Sequence, residues 1–362
     1  MAEPIGTNLP PLKIGRHVAR LPIIQGGMGI KVSGARLAGA VAREGAVGVI
    51  AAVALGLSSP YYKKKSDYFN ANKLALADEI AMARQTAPDG IIGVNCMVAI
   101  TDHEAMVRTA AENGADLIIS GAGLPLNLPV YTRDHPDCAL LPIVSSEKAA
   151  RLICRRWEHT HGRLPDALVV EDPNTAGGHL GVRRQELGNP DYDLERVVPE
   201  IVAYLAEEGF DIPVLSAGGI WDRSDIDHQF ALGARGVQMA TRFICTHECD
   251  ADDAFKAQYL KRKPSDVVIV DSPAGLPGRA VSSAFVERLH GHGKVEMQCF
   301  ANCLRKCICR DEKETFCIAH ALNQAQHGNV QDGLFFTGTN LYRSEQIVSV
   351  HEILTELCAP RG

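Results

Sequence analysis

The run Pro213-Val-Leu-Ser-Ala-Gly-Gly-Ile-Trp-Asp-Arg-Ser-Asp-Ile-Asp-His-Gln-Phe-Ala-Leu-Gly-Ala-Arg-Gly-Val-Gln-Met-Ala-Thr241 decides the fold. Residues 213–217 and 236–240 are apolar at nearly consecutive positions, the pattern of parallel strands covered on both faces. Between them, 223–232 reads as a helix, and Gly233 stands where a helix end turns left-handed. The same unit recurs upstream. Strands are expected at 22–25, 47–53, 91–97, 116–120, 140–144 and 167–171, and helices at 34–44, 103–113, 147–157 and 194–208. Gly45, Gly114 and Gly209 repeat the helix-ending position. Eight alternations within about 240 residues predict an α/β fold, a closed (β/α)8 TIM barrel. A doubly wound open sheet is the rival, and regular spacing out to an eighth strand favours the barrel.

The 362 residues accommodate such a barrel with an appendage. Lys and Arg total 37 against 43 Asp and Glu, and the formal charge of −6 argues against a general nucleic-acid binder. With 46% hydrophobic and 22% charged residues, wholesale disorder is excluded. No apolar run approaches the ~20 residues of a membrane span. Residues 1–10 lack the basic-then-apolar pattern of a secretory signal, so a cytoplasmic protein is expected. The barrel is expected over 1–249, a cap over 250–335, and a segment over 336–362 that packs back on the barrel. Residues 57–90 read either as a lid or as an ordinary extra helix, and further helices are expected near 319–327 and 345–358.

In barrels of this kind the chemistry sits in the loops after the strand C-termini. Here those loops hold Gln25-Gly-Gly-Met-Gly29, Asn95, Glu171, Gly177-Gly-His179, Ala217-Gly-Gly-Ile220 and Gln238-Met-Ala-Thr241. Glycines there let backbone amides approach a flat ligand. The amides after strand seven, with Ala240 and Thr241, suit a phosphate. His179 stands out among thirteen histidines because two glycines bring it to this mouth. An imidazole there suits the removal of a carbon-bound proton next to a carbonyl. Its plainer reading is packing against a ligand or capping a turn.

Five of the eleven cysteines fall between Cys299 and Cys317. Cys299, Cys303, Cys307 and Cys317 are spaced C-x3-C-x3-C-x9-C, and four thiolates can complete a [4Fe–4S] cluster. Tetrahedral zinc and a metal-free, cysteine-rich turn stay open beside it. Cys309 competes with Cys307 for the third position.

The runs Pro22-Ile-Ile-Gln-Gly-Gly-Met-Gly29, Ala176-Gly-Gly-His179, Ala217-Gly-Gly-Ile220, Gln238-Met-Ala-Thr-Arg-Phe243 and Gly338-Thr-Asn-Leu-Tyr-Arg343 resemble the superfamily of nitronate monooxygenases and FMN-dependent enoyl-ACP reductases. That resemblance implies FMN, held by Gly27, Met28, Asn95, Glu171, Gly177, Gly218, Gly219, Gln238, Ala240 and Thr241, with His179 as the catalytic histidine. Ala240 departs from the glycine many members carry. The cysteine pattern and Gly219-Ile-Trp-Asp-Arg-Ser-Asp-Ile-Asp227 resemble the FabX-type branch. This implies a [4Fe–4S] cluster on Cys299, Cys303, Cys307 and Cys317. It also implies oxidation of saturated medium-chain acyl-ACP, such as decanoyl-ACP, to the trans-2-enoyl form and isomerisation to cis-3. The partner would be the acidic acyl carrier protein, docked on Lys63–Lys65, Arg155-Arg156 or Arg183-Arg184; a homodimer is one open assembly, since the sequence does not give the oligomeric state. A nitronate monooxygenase, an NADH-dependent enoyl-ACP reductase and a non-catalytic redox sensor are the competing functions.

Overall fold

A computed structural model describes residues 4–291, 295, 299 and 301–359. Residues 1–3, part of the stretch read for a secretory signal, and 360–362, the end of the last expected segment, lie outside the described residues.

The eight strands are Ile23–Gln25, Val47–Ala51, Ile91–Asn95, Leu117–Ser120, Ala139–Val144, Leu168–Glu171, Val214–Ala217 and Gly236–Met239. All pair in parallel, and the sheet closes because the eighth strand pairs with the first, Val237 opposite Ile23. The open-sheet rival is thereby excluded. Alternate residues explain the unbroken apolar runs. Ile24, Val49, Ile119, Leu141, Val169 and Leu215 fill the barrel interior. Ile50, Val94, Ile118, Leu140, Val170 and Val214 face the helices. Gly45, Gly114, Gly209 and Gly233 all take positive φ at the helix ends where they were expected.

Residues 57–90 supply a helix, Tyr68–Thr86, in the outer layer of the barrel rather than a lid. It buries Ala71, Leu76, Ile80 and Ala83 beside helix Ala35–Arg43. An element absent from the sequence reading is the antiparallel hairpin Leu12–Ile14 and His17–Ala19. Its Leu12, Ile14 and Ala19 plug the N-terminal end of the barrel.

After the eighth strand the chain makes only a short helix, Thr241–Ile244, before entering the cap. The cap holds helix Ile318–Gln326 and a small sheet of Val267–Asp271, Pro277–Val281 and Gly178–His179. Helix Val350–Cys358 then packs against Ala35–Arg43 and Arg223–Ala231, completing the outer layer. It buries Val350, Ile353, Leu354 and Leu357, each contributing about 2 kcal/mol of burial. No helix among the described residues is long and apolar enough to cross a membrane.

Candidate active site

The C-terminal strand ends open into a cavity of roughly 1690 Å³, counting its open mouth. Gly27, Met28, Asn95, Glu171, Gly177, His179, Gly218, Gly219, Gln238, Ala240 and Thr241 all line it. Loops far apart in sequence converge there because each follows a strand of the same closed barrel.

One part of the cavity is built from close-approaching backbone. A Cβ on Gly27 would lie 2.5 Å from Asn95 Cβ. Gly218 and Gly219 have φ of +101° and +70° and pack beneath Thr175. The Gly338–Arg343 motif lies across this loop. Asn340 Nδ2 donates to the Gly219 carbonyl at 2.6 Å, and the Gly338 amide donates to Thr241 Oγ1 at 3.0 Å. Gln238 Oε1 is buried with no hydrogen-bond partner among the described residues. A buried acceptor left alone is costly, so this atom fits a ligand that donates to it. Burial, with the Asp172 charge adding, raises the Glu171 carboxyl to about 7. The glycine cradle and the orphaned acceptor fit FMN.

His179 owes its position to a strand too short to read from sequence. Gly178–His179 forms the edge of the cap sheet, His179 opposite Gly278. The His179 Nε2 lies 2.7 Å from Ser272 Oγ, and the ring meets Phe336 edge-on with centroids 5.1 Å apart. Desolvation lowers the His179 pKa to about 4, so the ring is neutral at neutral pH and free to accept a proton. Ser272 Oγ also accepts the Ala274 amide at 3.2 Å and has a second lone pair for the His179 Nε2–H, the tautomer that leaves Nδ1 free to take a proton. Ser272 is thus a positioning residue. Ser272→Ala is expected to lower kcat about threefold to tenfold, the worth of one hydrogen bond. KM should stay near wild type, as steady-state kinetics would show.

Ser272 and Arg279 escaped the sequence reading. Arg279 is a buried cation whose guanidinium donates to the carbonyls of Ala176 and, at 3.1 Å, Pro173. It thereby braces the loop leading to His179. A charged residue inside the apolar strand Pro277–Val281 was its available signal; Ser272, on a plain turn, had none.

The cysteine segment borders the same cavity through Cys303 and Leu304. Burial raises the Cys303 thiol, with Cys317, Cys307 and Cys299 raising it further. Cys317 is likewise raised by burial and then by Cys299 and Cys307. Cys303 and Cys317 therefore each stand within electrostatic reach of Cys299 and Cys307. No group of three or more His, Cys, Asp or Glu among the described residues is placed to hold a metal ion. Arg310 ties the loop together by donating to Asn302 Oδ1 and the Leu304 and Arg305 carbonyls.

Fold and cavity together define a (β/α)8-barrel protein with its site at the C-terminal mouth. The chain belongs to the nitronate monooxygenase family, whose model matches residues 11–360. Among characterised relatives, it is similar to a (3aS,4S,5R,7aS)-5-hydroxy-7a-methyl-1-oxo-octahydro-1H-indene-4-carboxyl-CoA dehydrogenase of Mycobacterium tuberculosis. The two are 27% identical over 271 residues, 74% of this chain and 65% of that protein. The chain thus spans a little under two thirds of that relative's length. A probable nitronate monooxygenase of Staphylococcus aureus is 26% identical, over 74% of this chain and 77% of its own. In structure the chain is similar to FabK from Thermotoga maritima, with a TM-score of 0.69 and 23% identity. That match covers 94% of this chain and 92% of FabK. A nitroalkane oxidase from Streptomyces ansochromogenes matches at a TM-score of 0.68 and 19% identity, covering 94% and 96%. These two likenesses speak for the fold.

Proposed function

We propose that the protein is an FMN-dependent acyl-ACP dehydrogenase and isomerase. It would oxidise a saturated medium-chain acyl-ACP, such as decanoyl-ACP, to the trans-2-enoyl form and then shift the double bond to cis-3 for unsaturated fatty acid synthesis. The observation that carries this reading is the apolar cap wall, Leu322, Leu334 and Phe336, in the same cavity as His179. A small nitro anion needs no such wall; an acyl chain does. The Mycobacterium relative, named as a dehydrogenase of a carboxyl-CoA, lends support, since that substrate is also a thioester.

When bound, FMN supplies a two-electron acceptor for the β-hydride. Gly27, Gly177, Gly218, Gly219, Ala240 and Thr241 would hold it by backbone, and Asn95, Glu171 and Gln238 by side chain, with Met28 packed alongside. His179 takes the α-proton, which the thioester carbonyl acidifies. Once that proton has passed to solvent, the same imidazole removes a γ-proton for the isomerisation and returns it to the α-carbon, so the net composition of the enoyl product is unchanged. We assign a [4Fe–4S] cluster to Cys299, Cys303, Cys307 and Cys317. What supports this is their C-x3-C-x3-C-x9-C spacing and the preference of iron–sulfur clusters for four soft thiolates.

Of the three basic stretches weighed for carrier docking, Arg155, Arg183 and Arg184 are paired with Glu208, Glu186 and Asp271. Lys63, Lys64 and Lys65 are exposed, and Lys65 Nζ donates to the Cys299 carbonyl beside the cavity wall. We place the acidic carrier there.

The test is anaerobic purification, assay of iron, sulfide and FMN, and addition of decanoyl-ACP. Flavin bleaching with an unsaturated product is the expected result. A colourless protein, or a flavin that decanoyl-ACP leaves oxidised, overturns the reading. The family match favours nitronate monooxygenase as the second reading, and oxidation of propionate 3-nitronate without reaction on acyl-ACP would select it.

A further inference from the structure

The cavity wall is chemically divided. Barrel loops contribute glycines and amide side chains, whereas the cap contributes Leu304, Ile318, Ala319, Leu322, Leu334 and Phe336. Ala319 and Leu322 stand three residues apart on helix Ile318–Gln326 and so share a face. Ala319 is the smallest side chain on this wall.

The wall is fastened rather than loose. The Thr101 amide donates to the Cys303 carbonyl at 2.9 Å, and the Arg305 amide to Ala99 at 3.0 Å. Ile100 and Leu304 form an antiparallel bridge between these two bonds. This joins the wall to the end of the third strand and the loop after it, which bring Asn95 and Met97 respectively into the same cavity. On the helix side, the Leu334 amide donates to Ala321 at 3.1 Å. A wall held by backbone bonds does not retreat from a growing ligand, so it can measure length; a mobile lid would only follow it.

We infer that this cap wall is an acyl-chain slot and that Ala319 and Leu322 set the length of chain it accepts. The inference rests on the acyl-thioester reading above and deepens it by naming what fixes chain length. Each methylene buried in the slot should raise affinity about fourfold until the slot is full. Beyond that point added carbons find no apolar surface and affinity levels off. A larger side chain at Ala319 brings the plateau to shorter chains. A smaller one at Leu322 moves it to longer chains.

The test measures binding of a ladder of unreactive S-alkyl pantetheine thioethers, of increasing chain length, to the flavin-loaded protein by titration calorimetry. Because a thioether lacks the carbonyl that acidifies the α-proton, the readout is independent of turnover. Wild type should show the climb and plateau, Ala319→Phe a plateau at shorter chains, and Leu322→Ala one at longer chains. Plateaus that coincide with wild type in both variants overturn the slot assignment. A wild-type protein whose affinity ignores chain length altogether overturns the acyl-thioester reading itself. Should Ala319→Phe fail to fold, Leu322→Ala decides alone.

Discussion

Replacing His179 by Ala is expected to lower kcat/KM for decanoyl-ACP by about a hundredfold to ten-thousandfold, the range for a lost general base. Bound FMN should stay at the wild-type level. The two readouts separate because His179 belongs to the cap sheet, hydrogen-bonded to Ser272, whereas the glycine cradle comes from the barrel loops. The pH profile gives the same residue a second signature. The imidazole must be neutral to accept a proton, and desolvation lowers its pKa from 6.5 to about 4. Activity that depends on it is therefore present above that value and is lost as pH falls through about 4. Glu171, raised to about 7, titrates elsewhere in the range. A limb near 7 that vanishes in Glu171→Gln belongs to that carboxyl. Full activity in His179→Ala, or an acid limb that persists unchanged in that variant, would refute the assignment.

The barrel was legible because its signal is local and repeated. A strand buried on both faces, such as Val47–Ala51, cannot hide its apolar run, and a positive-φ glycine such as Gly233 marks the helix end beside it. The mouth loops followed from strand ends, since residues just past a barrel strand face the same opening, while the particular contact residues followed from the family resemblance. Elements made by long-range pairing left little trace. The hairpin Leu12–Ile14 with His17–Ala19 is three residues a side, and only the open barrel end below it explains its apolar face. Gly178–His179 is a strand solely because Pro277–Val281, about a hundred residues later, lies beside it. Ser272 was out of reach for the same reason, its turn meeting His179 across that sheet.

The cysteine segment is the intermediate case. Its spacing predicts a common purpose for Cys299, Cys303, Cys307 and Cys317; the structure puts Cys303 and Cys317 within electrostatic reach of the other two, and no group of three or more His, Cys, Asp or Glu among the described residues is placed to hold a metal ion. What spacing could not show is that Cys303 also faces the cavity, with Leu304 next to it. That placement comes from backbone pairing with the loop after the third strand. Cap and barrel are thus joined at the site itself, which is why a change at their seam should disturb both.

Gly177→Val tests that seam and should strip most of the bound FMN while lowering Tm by several degrees. A Cβ at Gly177 would lie 2.5 Å from the Thr337 carbonyl carbon and 2.6 Å from the Gly338 nitrogen. Neither backbone atom can yield. The Thr337 amide is bonded to Arg279 at 3.0 Å, the Gly338 amide to Thr241 Oγ1 at 3.0 Å, and the Thr339 amide to Thr175 at 3.1 Å. Relief must come from separating the 175–179 loop from the 337–340 segment, which moves Thr241 away from the cradle and His179 away from Ser272. Overpacking of this kind costs roughly 1–3 kcal/mol, or about 2–4 °C per kcal/mol in a chain of this order of size. Gly114→Ala is the matched control. It has φ +80° and nothing within 4 Å of a new Cβ, so it should cost about 1 kcal/mol of backbone strain and leave FMN untouched. If Gly177→Val keeps its flavin and melts with wild type, the close approach of these two segments is not what assembles the site.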